Sequence, residues 1–150
     1  NALLNSAKAS GTDFTNSDLS RANIFRANFH NGRFVNTLFT GADIQETNFG
    51  NTNCDYTDFV GANLNNANFR SASLNNAVFR SANLYNANFN EARLNNADLR
   101  NCTAARAKFT KANLTGTKLD RSTLNRADFT GAIMKNTEFK KAFLKDAIIK

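Results

Sequence analysis

Residues 62–81 read Ala62-Asn63-Leu64-Asn65-Asn66, Ala67-Asn68-Phe69-Arg70-Ser71, Ala72-Ser73-Leu74-Asn75-Asn76, Ala77-Val78-Phe79-Arg80-Ser81. The same beat continues through Ala82-Asn83-Leu84, Ala87-Asn88-Phe89 and Ala97-Asp98-Leu99. Followed outward in steps of five from Leu4, the large position holds Phe, Leu, Ile or Met in 27 of 30 units. The exceptions are Ala9, Cys54 and Ala104. Two residues earlier, every unit carries a small residue: 19 Ala, 7 Thr, 2 Ser, Gly32 and Cys102. The frame never slips.

A small and a large residue pointing inward, with one residue pointing outward between them, is the alternation of a β-strand. The other two residues of each unit must turn. The second of them is Gly or Asn in 16 of 30 units, the residues that tolerate the positive φ required at the third position of a type II turn. An α-helix is excluded, because a period of five does not keep one face of a 3.6-residue helix buried. Turning through about a right angle every five residues closes a square coil in twenty. Residue n then stacks on n+20 through parallel pairing at roughly 4.8 Å. The expected fold is all-β, a single domain over 1–150 of about 7.5 coils. Its core is a column of Phe and Leu with Ala and Thr between. Residues 1–11 fit more weakly, since Ala9 fills a large position and Leu3 an outward one. They are either a loose first coil or a short N-terminal cap.

These units, with Ala22-Asn23-Ile24 among them, resemble the pentapeptide repeat family, whose pattern is A-(D/N)-L/F-x-x. The middle position is Asn or Asp in half of the units. The resemblance covers about residues 12–150 and implies a right-handed quadrilateral β-helix. It also implies a bacterial protein and a non-enzymatic role, but no single activity. Some members of the family imitate duplex DNA in shape and charge and act on DNA gyrase; others are effectors or regulators.

Charge bears on that choice. The chain carries +7, with 19 basic and 12 acidic residues. The first 75 residues hold five basic and six acidic side chains, and the last 75 hold fourteen and six. A basic half would be repelled by a groove built to hold phosphate, so a gyrase-directed DNA mimic ranks third. The first expectation is a rigid protein-binding or scaffolding surface. The second is a surface for nucleic acid or anionic lipid on the basic C-terminal half. The twenty-residue stacking puts Arg80, Arg100, Arg121, Lys140 and Lys141 on one outward stripe, diluted by Asp98, Asp120 and Glu138. Tyr56 and Tyr85 lie outside the basic half or away from this stripe, so no aromatic interleaving for base stacking is expected. A column of Asn16, Asn36, Asn76, Asn96 and Asn136, with Asn75 and Asn95 alongside, suits hydrogen-bonded ladders.

No catalytic, metal or cofactor site is expected. His30 stands alone, and Asp13, Asp18, Asp43, Asp55 and Asp58 are dispersed over three faces. Cys54 and Cys102 lie on different walls about two and a half coils apart, too far for a disulfide, and read as free buried thiols. Ile133, Phe143 and Ile148 occupy outward slots. With Leu144 and Ile149 they make an apolar C-terminal region, a candidate homodimer surface. No run of 18 apolar residues occurs, so no transmembrane helix is expected. The in-frame start at Asn1 suggests a processed chain, and the compartment, cytoplasmic or exported after removal of a signal peptide, stays open.

Overall fold

A computed structural model describes residues 2–150; Asn1 lies outside the described residues. The chain winds as a right-handed quadrilateral β-helix. Outward middle residues pair in parallel with the residue twenty further on, from Leu3 with Asn23 to Asp128 with Ile148. Residues 2–11 follow the same register, since Lys8 pairs with Asn28. They make half a coil in that register.

The corners explain the two turn slots. In all 29 turns from Leu4 to Ala147, the amide of the small residue donates to the carbonyl of the preceding large residue, as Ala67 does to Leu64 at 3.0 Å. The second turn residue has positive φ in every unit from Ser6 (55°) to Asp146 (59°). Five of these residues are Gly, but Arg106, Lys111, Glu91 and Tyr56 adopt the same conformation. Asn and Gly lower the cost of this position. Elsewhere the packing around the corner imposes it.

The middle Asn or Asp follows from an accounting of amides. In an interior unit the amides of the small, middle, large and second-turn residues all donate to backbone carbonyls. The first turn residue has no backbone acceptor. Its amide is taken by the middle side chain two residues earlier: Asp58 Oδ1 accepts from Val60 at 2.7 Å, Asn88 from Asn90 at 3.0 Å, Asn68 from Arg70 at 3.1 Å. Where the preceding coil supplies the acceptor instead, the pattern shifts by twenty, as with Asn5 to the amide of Phe25 at 3.1 Å and Asp120 to that of Lys140 at 2.7 Å. Asn23, displaced by Asn5, is left with a buried Oδ1 that has no partner. The repeat's Asn/Asp is thus a local cap for the one backbone donor that the solenoid does not pair.

Inside, most of the Phe rings form two parallel stacks that meet edge to face, and Phe14 and Phe34 stack in another column at 5.2 Å. Phe49, Phe69, Phe89, Phe109 and Phe129 lie 4.9–5.1 Å apart with planes within 7°. Phe39, Phe59 and Phe79 stack at 5.2 and 4.7 Å. The two stacks meet at 80° between Phe59 and Phe69. Both arrangements are the ones an aromatic quadrupole favours. Ala between the rings keeps the coil narrow. Thr in the same slot satisfies its hydroxyl on a large residue's carbonyl, as Thr57 does on Phe34 at 2.6 Å and Thr117 on Leu94 at 2.7 Å. Gly32 is a tight small position: a Cβ there would meet the Phe29 carbonyl and the Phe34 ring, each at 2.8 Å. No helix among the described residues is long and apolar enough to cross a membrane.

Candidate functional site

Because residues stack at twenty, each corner presents two axial columns of first and second turn residues. Three corners carry clefts whose lining is polar.

The first cleft, about 230 Å³, is lined by Arg100, Asn101, Asp120, Arg121 and Lys140. It lies on the predicted basic stripe, with Arg80 one coil before Arg100. The stripe is less basic than its Arg and Lys content suggests. Arg100 grips Asp98 through two bonds, Nε to Oδ1 at 2.8 Å and Nη2 to Oδ2 at 2.7 Å, and Arg80 reaches the same carboxylate at 3.7 Å. Burial alone would raise the Asp98 carboxyl. The bonds from the Arg100 side chain and backbone outweigh it and hold the group below the usual carboxylate range. Asp120 stands in the cleft itself. Arg121, Lys140 and Lys141 are exposed. The surface is therefore a mosaic of both signs.

The second cleft, about 200 Å³, opens where Gly50 interrupts a column of larger residues. His30 lines it, with Nε2 3.5 Å from Asn51 Nδ2. Its guanidinium, from Arg70, is held by Glu91 at 2.9 Å.

The third cleft is the largest, about 360 Å³, and opens at Ala105. Tyr85 forms one wall, and Arg106, Arg126 and Lys145 stand around it with Asp146. Tyr85 lies away from the Arg80–Lys141 stripe, as expected, but stands beside other basic residues at the neighbouring corner. The signal was available: Ala105 is the only Ala in the series Asn5, Phe25, Gln45, Asn65, Tyr85, Ala105, Asn125, Lys145.

Asn ladders occur, but on several faces rather than one. Asn36 donates to Asn16 at 3.2 Å and Asn95 to Asn75 at 2.7 Å. Asn28, Asn48 and Asn68 form a run at 3.2 and 3.0 Å, and Asn86 bonds Asn66 at 2.8 Å. Tyr56 and Gly116 interrupt the expected column. Cys54 and Cys102 are free and buried, and burial pushes both thiols up to about 12. Among the described residues no group of three or more His, Cys, Asp or Glu gathers where it could hold a metal. Ile133, Phe143, Ile148 and Ile149 are exposed, Phe143 at 64%. Leu144 is half-buried against the core.

Two family descriptions match the sequence: "Pentapeptide repeat region" over residues 57–129 and "Pentapeptide repeats (8 copies)" over residues 2–41. Among solved structures, the pentapeptide repeat protein Rfr23 of the cyanobacterium Cyanothece 51142 is similar with a TM-score of 0.73 at 24% identity, over 75% of this chain and 91% of that one. HetL of Nostoc sp. strain PCC 7120, a pentapeptide repeat protein involved in heterocyst differentiation regulation, gives 0.67 at 22%, over 99% and 87%. The plasmid-mediated fluoroquinolone resistance protein QnrB1, in a trypsin-treated form, gives 0.54 at 19%, over 96% and 77%. At these identities the likeness is one of fold. No functionally curated protein matches by sequence.

Proposed function

The chain belongs to the pentapeptide repeat family, and from that premise we propose that it works without catalysis, as a rigid rod presenting a docking surface to a protein partner. The observation that supports this reading is the mixed-charge corner. Arg80, Arg100, Arg121, Lys140 and Lys141 alternate with Asp98, Asp120 and Glu138 along one edge, and Asp98 is held in place by two guanidinium bonds. A phosphate backbone laid along this edge would meet three carboxylates. A protein surface can place a charge of the right sign against each group, and such complementarity confers specificity. The rod keeps the columns in a register of twenty because four of five backbone amides in each interior unit are paired within the backbone.

The test is a nuclease-treated pull-down comparing the wild type with a variant carrying Arg80→Glu, Arg100→Glu, Arg121→Glu and Lys140→Glu. Capture of a partner by the wild type alone supports the reading, provided that both proteins melt cooperatively. Equal capture by both removes this corner from the interface. The second reading, an anion-binding surface on the basic half, rests on the excess of fourteen basic over six acidic side chains in residues 76–150. Duplex affinity that falls steeply with salt favours it. Micromolar protein that leaves gyrase supercoiling unchanged removes the DNA-mimic reading, which the net charge of +7 already opposes. We also propose that Ile133, Phe143, Leu144, Ile148 and Ile149 serve self-association. Sedimentation at several concentrations, with and without Phe143→Lys, tests that.

A further inference from the structure

The cleft over Ala105 differs from the other two in having a tyrosine ring, Tyr85, in its lining. In the first cleft Arg100 is bound to Asp98, and Asp120 adds a negative charge. In the second, Arg70 is bound to Glu91. Around Ala105, as in the first cleft, three cations face one carboxylate. Arg126 touches Asp146 only through Nε at 3.8 Å, in an exposed pair. Such pairs hold their partners weakly. Among the described residues, no carboxylate lies within the 4.0 Å of an ion pair from Arg106.

The backbone fixes where these groups stand. Arg106 and Arg126 occupy the second turn slot of successive coils, both with φ of 60°. Their amides donate to the carbonyls of Asn125 and Lys145 at 2.9 and 2.8 Å. Two guanidinium stems thus rise from parallel positions about 4.8 Å apart. At that spacing like charges repel, and an anion shared between them relieves the repulsion. Beside them Tyr85 offers a partly exposed aromatic ring, and the missing side chain at Ala105 leaves room next to it. A ring that stacks, with a fork of guanidinium donors one residue away, matches a ligand having a planar base at one end and a phosphate at the other. Duplex DNA buries its base faces in its own stack, so the match is to an unpaired nucleotide.

We propose that the Ala105 notch binds a nucleoside phosphate, with the base against Tyr85 and the phosphate between Arg106 and Arg126. The site is independent of the protein-docking corner, which lies at a different corner of the coil. Its ligand chemistry has two sources, a free mononucleotide and a nucleotide within a single strand.

The test is calorimetric titration of the full chain with adenosine monophosphate, with inorganic phosphate and with a ten-residue oligodeoxyadenylate at low salt. Four variants accompany the wild type. Ala105→Gln fills the notch without changing charge, and Gln already stands in this column at Gln45. Tyr85→Ala removes the ring, Tyr85→Phe keeps it, and Arg106→Gln removes one guanidinium. Thermal melts confirm that each variant is folded. Adenosine monophosphate is expected to bind at least tenfold more tightly than inorganic phosphate. Ala105→Gln and Tyr85→Ala are each expected to weaken binding about tenfold, and Arg106→Gln by a similar factor, while Tyr85→Phe stays near wild type. Tighter binding of the oligonucleotide than of the mononucleotide assigns the site to single strands; equal binding assigns it to free nucleotides. Absence of binding by both at millimolar ligand overturns the proposal. So does undiminished binding by folded Ala105→Gln, or phosphate binding as tight as that of the nucleotide.

Discussion

Asp58 and Asn23 occupy the same slot of the repeat and are expected to respond differently to truncation. Asp58 Oδ1 caps the amide of Val60 at 2.7 Å, whereas Asn23 Oδ1 is buried without a partner. Asp58→Ala leaves a backbone donor unpaired and is expected to cost about 1 kcal/mol, or about 2–4 °C in Tm for a chain of this size. Asn23→Ala is expected to be close to neutral; equal losses in the two variants would contradict the capping account. The same bonds carry a pH dependence. Hydrogen bonds from Thr15, Ser20 and Thr130, whose amides donate at 2.9 Å in each case, hold the carboxyls of Asp13, Asp18 and Asp128 below their ordinary range. A carboxyl depressed in the folded state adds stability above its unfolded value, near 4. That stability is lost as pH falls through the lower folded value. The urea midpoint should therefore drop on acidification below about pH 4, and the drop should shrink when the three residues are changed to Asn. The two cysteines give a further residue-level outcome. With both thiols pushed up to about 12 by burial, neither Cys54 nor Cys102 should react with a disulfide reagent at pH 8 until the chain is unfolded. Prompt labelling of folded protein would show that the core opens locally.

At the scale of the element, Phe79 is the sharpest probe. It stacks on Phe59 at 4.7 Å and meets Phe69 and Phe89 edge to face at 5.9 and 5.8 Å. Phe79→Asp would place an unpaired charge in this column, at a cost comparable with the stability of a whole domain, and is expected to abolish cooperative folding. A near-wild-type melt would refute the inward assignment. Gly32→Ala tests packing from the other side. Its Cβ has no room between the Phe29 carbonyl and the Phe34 ring, and overpacking of this kind costs about 1–3 kcal/mol. Most of this was legible in the sequence, because the fold has one rule repeated thirty times. The inward slots are chosen by size, which composition reports directly. What stayed hidden depends on relations between coils. The role of the middle Asn/Asp needed the accounting of which amide each coil leaves over. The pairing of Arg80 and Arg100 on Asp98 needed their side-chain reach. The Ala105 notch needed Tyr85 and Arg126, 41 residues apart in the chain, to be seen beside one another.

For the whole molecule, the register of twenty makes deletion a test of architecture and of function together. Coils touch only their neighbours, so stability is a sum of local terms and a unit can be removed from within. Excision of residues 41–60 joins Thr40 to Gly61, a first turn residue to a second, as at every other corner. It also brings Phe29 over Phe69 and Phe39 over Phe79, restoring aromatic stacks in both columns. That variant is expected to give a cooperative melt and an unchanged β signal in circular dichroism. Excision of residues 61–65 keeps the frame of five but not that of twenty. Phe49 then stacks on Leu74 and Phe59 on Leu84, and everything beyond the junction is rotated by one face. It is expected to fold less stably, with the C-terminal columns displaced by a quarter turn from the N-terminal ones. The two variants distinguish what a partner reads. Arg80, Arg100, Arg121 and Lys140 all lie beyond both cuts, so a partner that docks on that corner alone should be captured by both. A partner that also reads the N-terminal coils should be captured after the twenty-residue excision and lost after the five-residue one. Excision of two residues, 61 and 62, puts large residues such as Leu64 and Phe69 into the small slots and turn residues such as Asn66 and Ser71 into the large ones, and it should not fold. If it did, the square coil would not be the structure this repeat encodes.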